Sequence, residues 1–247
     1  MPKTKDTTIE KIKQRAYWQV EIFPAEFNEN AINFRDVQST VSQAAVQYRG
    51  WDYPHIVTEN MPDRQLCYPV DNTYYEAWID WSIHKEIWRA YKAGKFTHLF
   101  AVHEQWFDEY ETVFSVNPYP DLEHKYLDVV NVVLKVTEIL EFVHGYINSL
   151  NEIDNFVFRL NIKNAEGNEL TVLESGRLPL SMVYTNHSQK ITGYDGAISK
   201  DQLSDKDTRY ALGTEIIQAI FHYFDGWQWV EDVIASERQK LIERRLL

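Results

Sequence analysis

A chain of 247 residues, of which 44% are hydrophobic and 25% charged, has the size and composition of one large globular domain or of two small domains that share an interface. Its formal net charge of -12 repels phosphate backbones, so the composition argues against nucleic-acid binding. The single cysteine, Cys67, excludes an intramolecular disulfide framework and a multi-cysteine zinc site.

The first elements of the chain are predicted to be a strand and a helix. Residues 1–14 are polar and form a lead-in or a short helix. The apolar, β-favouring segment YWQVEIFP (Tyr17–Pro24) predicts a strand that Pro24 closes. Between Asn30 and Tyr48 the apolar residues recur every three to four positions, which predicts a helix with one buried stripe.

The segment RGWDYPHI, from Arg49 to Ile56, is predicted to be the corner that follows this helix. Gly50 suits a helix C-terminal cap. Pro54 blocks further helix and biases Tyr53 towards an extended backbone. The corner should therefore lead from a helix into an extended segment.

The next elements are predicted to alternate between strand and helix. NTYYEAWIDWS alternates enough for a strand, and IHKEIWRAYKAG fits a short helix with Ile83, Ile87, Trp88 and Tyr91 on one face. KFTHLFAVHEQWF then reads as a second strand. The prolines of NPYPDLEH (Asn117 to His124) predict a loop.

The most regular element is the long apolar segment YLDVVNVVLKVTEILEFVHGYINSL, which is apolar nearly all round at its start. Such a helix is buried at the centre of a fold. NFVFRLNI and NELTVLES flank the turn-forming KNAEGN and predict a β-hairpin, with QKITGYDGAIS as a further strand. Helices are predicted from about Asp205 to Phe224 and over VEDVIASERQKLIERRLL.

These elements predict an α+β fold in which several long helices pack on an antiparallel or mixed sheet around one central buried helix. The chain forms a single domain over residues 1–247 or two halves. Those halves are an aromatic-rich segment, 1–120, and a segment of helix, hairpin and helix, 121–247.

Known catalytic and cofactor signatures are missing from the sequence. It contains neither a P-loop nor a GxGxxG motif, and no cofactor is expected. The H-x-E pattern at His84 lacks the P-C-x-x-C that zinc deaminases need. Nucleophilic catalysis is unsupported, because Cys67 has no glycine-rich context. No catalytic residue is assigned.

A metal site is the first candidate for chemistry. Four histidines lie within fifty residues and are interleaved with acidic residues: His55, His84, His98 and His103 with Asp52, Glu76, Asp80 and Glu104. If the two strands on either side of IHKEIWRAYKAG are neighbours, some of these side chains could converge on one divalent metal. The weak candidates are His84, His98, His103 and Glu104. No fixed ligand spacing supports a site, and satisfied core histidines are the favoured interpretation.

Aromatic side chains are the second candidate, because eight tryptophans imply buried indole partners or an exposed edge. A core is the favoured interpretation, but a stacking pocket or an interface uses the same residues. Six residues of the aromatic third of the chain are candidates for ligand binding: Arg49, Trp51, Asp52, His55, Trp88 and Arg89. An ion pair between Arg49 and Asp52 that fixes the corner is the ordinary expectation.

Five segments of the chain, YWQVEIFP, RGWDYPHI, EIWRAYKAGKF, LKVTEILEF and YFDGWQWVEDVIASERQKLIERR, resemble a poorly characterised region of bacterial proteins. That region often forms the C-terminal part of larger chains that carry a Schlafen/AlbA-type nucleotide-binding domain, and some examples have defence-type gene contexts. The resemblance covers most of the chain and implies a bacterial, intracellular accessory module. It supplies no catalytic residues, and the AlbA-type domain has no counterpart here.

Two functions follow as expectations. The first is an accessory module that binds a protein partner, a second copy of itself or a small ligand through the aromatic-rich surface around Trp51 and Trp88. The second is a metal-dependent hydrolase or nuclease that uses histidine and acidic residues between Asp52 and Glu104. The polar N-terminus and the lack of about 18 consecutive apolar residues predict a cytoplasmic protein without a membrane partner.

Overall fold

A seven-stranded antiparallel sheet is the central element of the fold. The computed structural model of the chain describes residues 3–110, 125–150, 152–174 and 177–244. In chain order the strands are β1 (Tyr17–Pro24), β2 (Arg64–Val70), β3 (Tyr74–Trp81), β4 (His84–Tyr91), β5 (Phe96–Ala101), β6 (Tyr126–Asp128), β7 (Asn155–Lys163), β8 (Glu169–Thr171) and β9 (Lys190–Ser199). The large sheet has the spatial order β2-β3-β4-β5-β1-β7-β9, and β6 and β8 form a separate parallel pair.

Strand β1 connects the two halves of the chain. It pairs with β5 on one edge and with β7 on the other, so that Val20 lies opposite both His98 and Leu160. Burial alternates along β1, with Trp18, Val20 and Ile22 buried, because successive side chains of a strand point to opposite faces. We call the face that carries these buried side chains the inner face and the opposite face the outer face.

Helices cover both faces of the sheet. In the described residues they are α1 (Lys5–Ile12), α2 (Val37–Ala44), α3 (Phe107–Tyr110), α4 (Val129–Asn148), α5 (Lys200–Ser204), α6 (Lys206–His222) and α7 (Glu231–Ile242), with a 3-10 helix over His103–Trp106. Helix α1 contacts β3, β4 and β5 from the outer side, and α4 contacts α2, α6 and α7. None of the helices in this part of the chain has the length and apolar character needed to cross a membrane.

Helix α4 is the central buried helix that the sequence predicts. It begins where the Asp128 carboxylate accepts a hydrogen bond from the Asn131 backbone N–H at 2.9 Å, which is an N-cap. Its inner contacts include Phe142, whose ring centroid lies 4.7 Å from that of Phe96 on β5. Full burial of each aliphatic or aromatic side chain along it stabilises the fold by about 1.5–3 kcal/mol. The α+β class with an antiparallel sheet and a buried helix is confirmed.

The helix predicted for IHKEIWRAYKAG is wrong, because this segment forms strand β4 and the turn after it. The residues His84, Glu86, Trp88 and Ala90 face inwards, since Glu86 lies opposite Phe100 and the side chains alternate. Four apolar positions also fitted a helical spacing. The hydrogen bonds offered by β3 and β5 on both sides decide in favour of the strand.

The predicted hairpin between NFVFRLNI and NELTVLES is also wrong. Strand β7 forms as predicted, but β1 and β9 occupy its two edges, so that no edge remains for β8. Strand β8 instead pairs in parallel with β6. The reversal at KNAEGN does occur, with positive φ angles of 54° at Asn164 and 75° at Gly167.

The helix predicted between Asn30 and Tyr48 is shorter in the structure, where α2 covers Val37–Ala44. It ends at Ala45, whose ψ angle of 134° is no longer helical, so Gly50 does not cap it. The strands predicted over YWQVEIFP, NTYYEAWIDWS and QKITGYDGAIS and the two C-terminal helices are confirmed. The strand predicted over KFTHLFAVHEQWF is confirmed only for Phe96–Ala101, because the second half of the segment forms a 3-10 helix over His103–Trp106. The loop predicted at NPYPDLEH lies outside the described residues.

Candidate functional site

The segment 49–56, which we call the Trp51 corner, lies against the inner face at the end of β3 and β4. The Trp51 indole stacks on the imidazoles of His55 and His84, with ring centroids 3.9 Å apart in both pairs and interplanar angles of 21° and 10°. Two rings at this separation would overlap if they shared one side of the indole. Trp51 is therefore held between them, with Trp81 stacked 5.8 Å away.

The polar side chains of the corner bind different partners. Asp52 accepts a hydrogen bond from the Ile56 backbone N–H at 3.0 Å and pairs with His55 Nδ1 at 2.5 Å. Arg49 instead reaches α4, where its Nε and a terminal nitrogen each donate to Glu138 at 2.7 Å. The expected pair between Arg49 and Asp52 is therefore wrong, because a buried carboxylate on α4 offers the guanidinium two parallel hydrogen bonds.

Trp88 and Arg89 lie on opposite faces of the sheet, as successive residues of a strand must. Trp88 is 1% exposed on the inner face, and its indole N–H donates to the His55 carbonyl at 3.0 Å. Arg89 is on the outer face and donates to Glu76 at 2.8 Å. The six ligand-binding candidates therefore do not converge, and Trp51 and Trp88 do not form a common exposed surface.

A small cavity lies behind the Trp51 corner, between the sheet and α4. Its volume of about 10 Å³ is close to that of one bound water molecule. It is lined by Trp51, Asp52, Tyr53, His84, Lys85, Glu86, Phe100, His103 and Lys135. We call it the Lys135 cavity, after the lysine that α4 brings into the core.

The charges around the Lys135 cavity are buried and only partly paired. Lys135 Nζ lies 3.3 Å from Glu138, and burial lowers the pKa of this lysine although Glu138 acts to raise it. Glu86 Oε2 lies 2.8 Å from His98 Nε2. Burial acts to raise the pKa of Glu86, but the hydrogen bond and the electrostatic coupling to His98 outweigh burial, so the pKa of Glu86 is lowered. Glu86 therefore stays ionised. Burial also lowers the pKa of His98 itself.

Several polar atoms of the cavity have no protein partner. Tyr53 Oη, His84 Nδ1 and Glu86 Oε1 are buried and make no hydrogen bond to any group in the described part of the chain. All three residues line the Lys135 cavity. Such atoms are uncommon in folded proteins, where buried polar groups are nearly always paired.

Two of the histidines are held neutral at physiological pH. Burial, and then the nearby charge of Lys135, lowers the pKa of His84 to about 3. Burial, and then His84, lowers the pKa of His103 well below its ordinary value. The two imidazoles meet edge to face with their centroids 4.7 Å apart. Neither ring can therefore act as a cation in this core.

The four metal candidates are His84, His98, His103 and Glu104. They contact other protein groups instead of surrounding one common metal position. His98 binds Glu86, and His84 stacks on Trp51. Glu104 accepts a hydrogen bond from Asn131 at 2.8 Å, and burial, followed by the charge of Asp128, raises its pKa to about 7. Within residues 3–110, 125–150, 152–174 and 177–244, no three His, Cys, Asp or Glu side chains are placed to hold a metal ion.

Glu76 and Asp80, two further acidic residues of that prediction, point away from the histidines. They lie on the outer face, where Lys5 contacts Glu76 at 3.1 Å and Lys11 contacts Asp80 at 3.2 Å. These ion pairs fix α1 on the sheet, and the Arg89–Glu76 pair joins β4 to β3 beside them. The histidine and acidic residues therefore divide between the two faces.

A larger opening lies at the other end of the strands, near the turn between β4 and β5. This groove has a volume of about 600 Å³, and we call it the Phe23–Tyr91 groove. It is lined by Glu21, Phe23, Pro24, Ala25, Phe27, Glu29, Thr73, Tyr91, Lys92, Ala93, Lys95 and Arg159. Two cations lie over its rings: Arg159 is 5.1 Å from the Phe23 centroid, and Lys95 is 5.8 Å from that of Tyr91.

Sequence reasoning missed both openings. A signal for the Lys135 cavity exists, since Lys135 is a lone cation in the apolar run VVNVVLKVTEIL. The groove has no such signal, because its walls come from β1, β7 and the turn after β4. No family of known proteins matches this chain, and no curated protein or solved structure does either. Its function therefore has to be inferred from the structure itself.

Proposed function

We propose that this chain is a noncatalytic binding module and that the Phe23–Tyr91 groove binds a small molecule with a planar aromatic ring and an anionic group. The groove volume of about 600 Å³ carries the proposal, because small-molecule sites in proteins measure about 300–1,000 Å³. In this role the chain acts as the accessory module that the sequence led us to expect.

The ring of the ligand is expected on the apolar walls of the groove. Phe23 and Tyr91 supply aromatic faces, and Phe27, which is 85% exposed, supplies an apolar edge that a ligand can cover. Aromatic side chains favour planar partners because stacked and edge-to-face rings attract one another beyond the burial of area. Covering Phe27 would also remove an exposed apolar surface from water.

The anion is expected at Lys95. The groove contains three cations against two carboxylates, a local positive excess on a chain with a net charge of -12. Arg159 already pairs with Asp195 at 2.9 Å, and Lys92 pairs with Glu29 at 3.0 Å. Lys95 contacts the Tyr91 ring and has no carboxylate partner in the described part of the chain. Its ammonium group is therefore free to bind an anionic ligand.

The Trp51 corner is a weaker site for such a ligand. Trp51 is already stacked on two imidazoles, and the cavity behind it is about 10 Å³, too small for any aromatic molecule. The metal-dependent hydrolase has no observation of its own in its favour, since His98 and Glu104 are held by other protein groups.

Calorimetric titration with 2-naphthyl phosphate, and with 2-naphthol as the neutral analogue, tests the proposal. We expect one site that binds the phosphate more tightly than the alcohol. Lys95→Gln should weaken phosphate binding by about three- to tenfold, equivalent to about 0.7–1.4 kcal/mol, and leave 2-naphthol binding unchanged. Phe27→Ser should weaken the binding of both molecules.

Two matched controls lie outside the groove. Lys190→Gln removes an exposed lysine of β9, and Leu178→Ser removes a side chain that is 89% exposed. Both controls should bind like the unaltered protein. Equal losses in the controls and the groove variants, or no binding of either naphthyl compound, would contradict the proposed function.

A further inference from the structure

We propose that the Lys135 cavity is a binding site for one water molecule, which accepts a hydrogen bond from Lys135 and donates one to Glu86. This inference is independent of the ligand groove, which lies at the other end of the strands. It rests on the three unpartnered atoms, on the cavity volume and on the charges that line the cavity.

The unpartnered atoms belong to two different elements that meet at the cavity. Tyr53 comes from the Trp51 corner, and His84 and Glu86 come from successive inward positions of β4. Tyr53 is 2% exposed, and Glu86 is 7% exposed. Lys135 adds an ammonium group whose described carboxylate contact is Glu138 at 3.3 Å, so it retains N–H groups to donate.

The chemistry of these groups selects the molecule that can bind. The molecule must accept a hydrogen bond from the Lys135 ammonium and donate one to the Glu86 carboxylate, since an ionised carboxylate only accepts. Chloride cannot donate, and a metal ion cannot accept. Water does both, and it still has a donor or an acceptor for Tyr53 Oη or for the neutral His84 ring.

The size of the cavity sets the number of molecules. Its volume of about 10 Å³ corresponds to one water, and buried waters usually make about three hydrogen bonds to groups that would otherwise be unpaired. The half-buried residues Trp51 and Asp52 form part of its wall, so the Trp51 corner separates this site from solvent. The proposed water links Glu86 of β4 to Lys135 of α4 through hydrogen bonds, behind the Trp51 corner.

A crystal structure at about 1.5 Å resolution, combined with measurement of long-lived bound waters by magnetic relaxation dispersion, tests the proposal. We expect a single density peak within about 3.2 Å of Lys135 Nζ and of Glu86 Oε1. Trp51→Ala should shorten the residence time of one bound water at least tenfold, because it removes part of the wall.

A pair of conservative variants provides the control. Tyr53→Phe removes one hydroxyl at the cavity, whereas Tyr146→Phe removes a buried hydroxyl elsewhere, whose contact is the Gly94 carbonyl at 3.5 Å. We expect the exchange of the cavity water to change in Tyr53→Phe and to stay unchanged in Tyr146→Phe. A dry cavity, an ion in its place, or a direct contact between Lys135 and Glu86 that closes the cavity would overturn the proposal.

Discussion

Replacing Arg49 by methionine should destabilise the protein by about 3 kcal/mol, because the arginine neutralises a carboxylate in the core. Arg49 donates twice to Glu138 at 2.7 Å and once to Asn131 at 3.0 Å. The Glu138 side chain is 1% exposed. Loss of one partner from a buried ion pair costs about 3–5 kcal/mol, since the other charge stays buried without compensation.

We expect the lower end of that range for two reasons. Lys135 remains 3.3 Å from Glu138 and keeps part of the compensation, and the Arg49 side chain is itself 26% exposed. Urea unfolding followed by tryptophan fluorescence measures the change as a lower midpoint with an unchanged slope. For a chain of this size the corresponding fall in Tm is about 6–12 °C.

Arg159→Met is the matched control, because it also removes an arginine that pairs with one carboxylate. The two partners, Arg159 and Asp195, are 41% and 48% exposed, and exposed ion pairs contribute about 0–1 kcal/mol. If Arg49→Met cost no more than Arg159→Met, the reasoning that Glu138 depends on Arg49 for its charge compensation would be refuted.

Three further predictions concern stability and are measured by the same urea unfolding. The pKa of His84 falls from 6.5 to about 3 on folding, so below pH 6.5 the unfolded chain binds more protons than the folded chain, and stability is lost as the pH falls. Through His84 the free energy of unfolding should be about 2 kcal/mol lower at pH 5 than at pH 7.5. The raised pKa of Glu104 increases stability as the pH falls and so opposes the effect of His84. The measurement therefore compares the unaltered protein with His84→Gln, which should lose less stability on acidification; equal losses in the two proteins would contradict the assignment. Gly94→Ala should cost about 2 kcal/mol, because φ is +76° and the added Cβ would lie 3.0 Å from Pro24, whereas Gly50→Ala, with nothing within 4 Å, should be nearly neutral. Glu76→Gln should cost about 2–3 kcal/mol, since it leaves Lys5 and Arg89 facing an amide, while Asp195→Asn on the surface should change stability by less than about 1 kcal/mol.

Those parts of the fold that depend on a long local pattern could be predicted from the sequence. Strand β1 keeps its alternation over 8 residues, and α4 keeps an apolar face over 20, so each pattern has one interpretation. Strand β4 is different, because Ile83, Ile87 and Tyr91 fit a helix as well as their neighbours fit a strand. Only the strands on both sides of β4 decide between the two.

The candidate sites were harder to predict, because each is assembled from distant segments. Arg49 finds Glu138 rather than Asp52 because α4 packs beside the corner, which no local spacing reveals. The groove joins Phe23 to Arg159, whose positions depend on the pairing of β1 with β7. What the sequence did indicate is that most tryptophans would be core residues, as Trp88 is.

The double pairing of β1 has a consequence for how this chain folds. Tyr17 pairs with Ala101 on one edge and with Lys163 on the other. The edge that pairs with β7 therefore stays unpaired until a segment much later in the chain has been placed. Contacts between distant segments form slowly, because the chain between them must first be ordered. During that interval the open edge can pair with other chains, so we expect refolding yield to fall steeply with protein concentration.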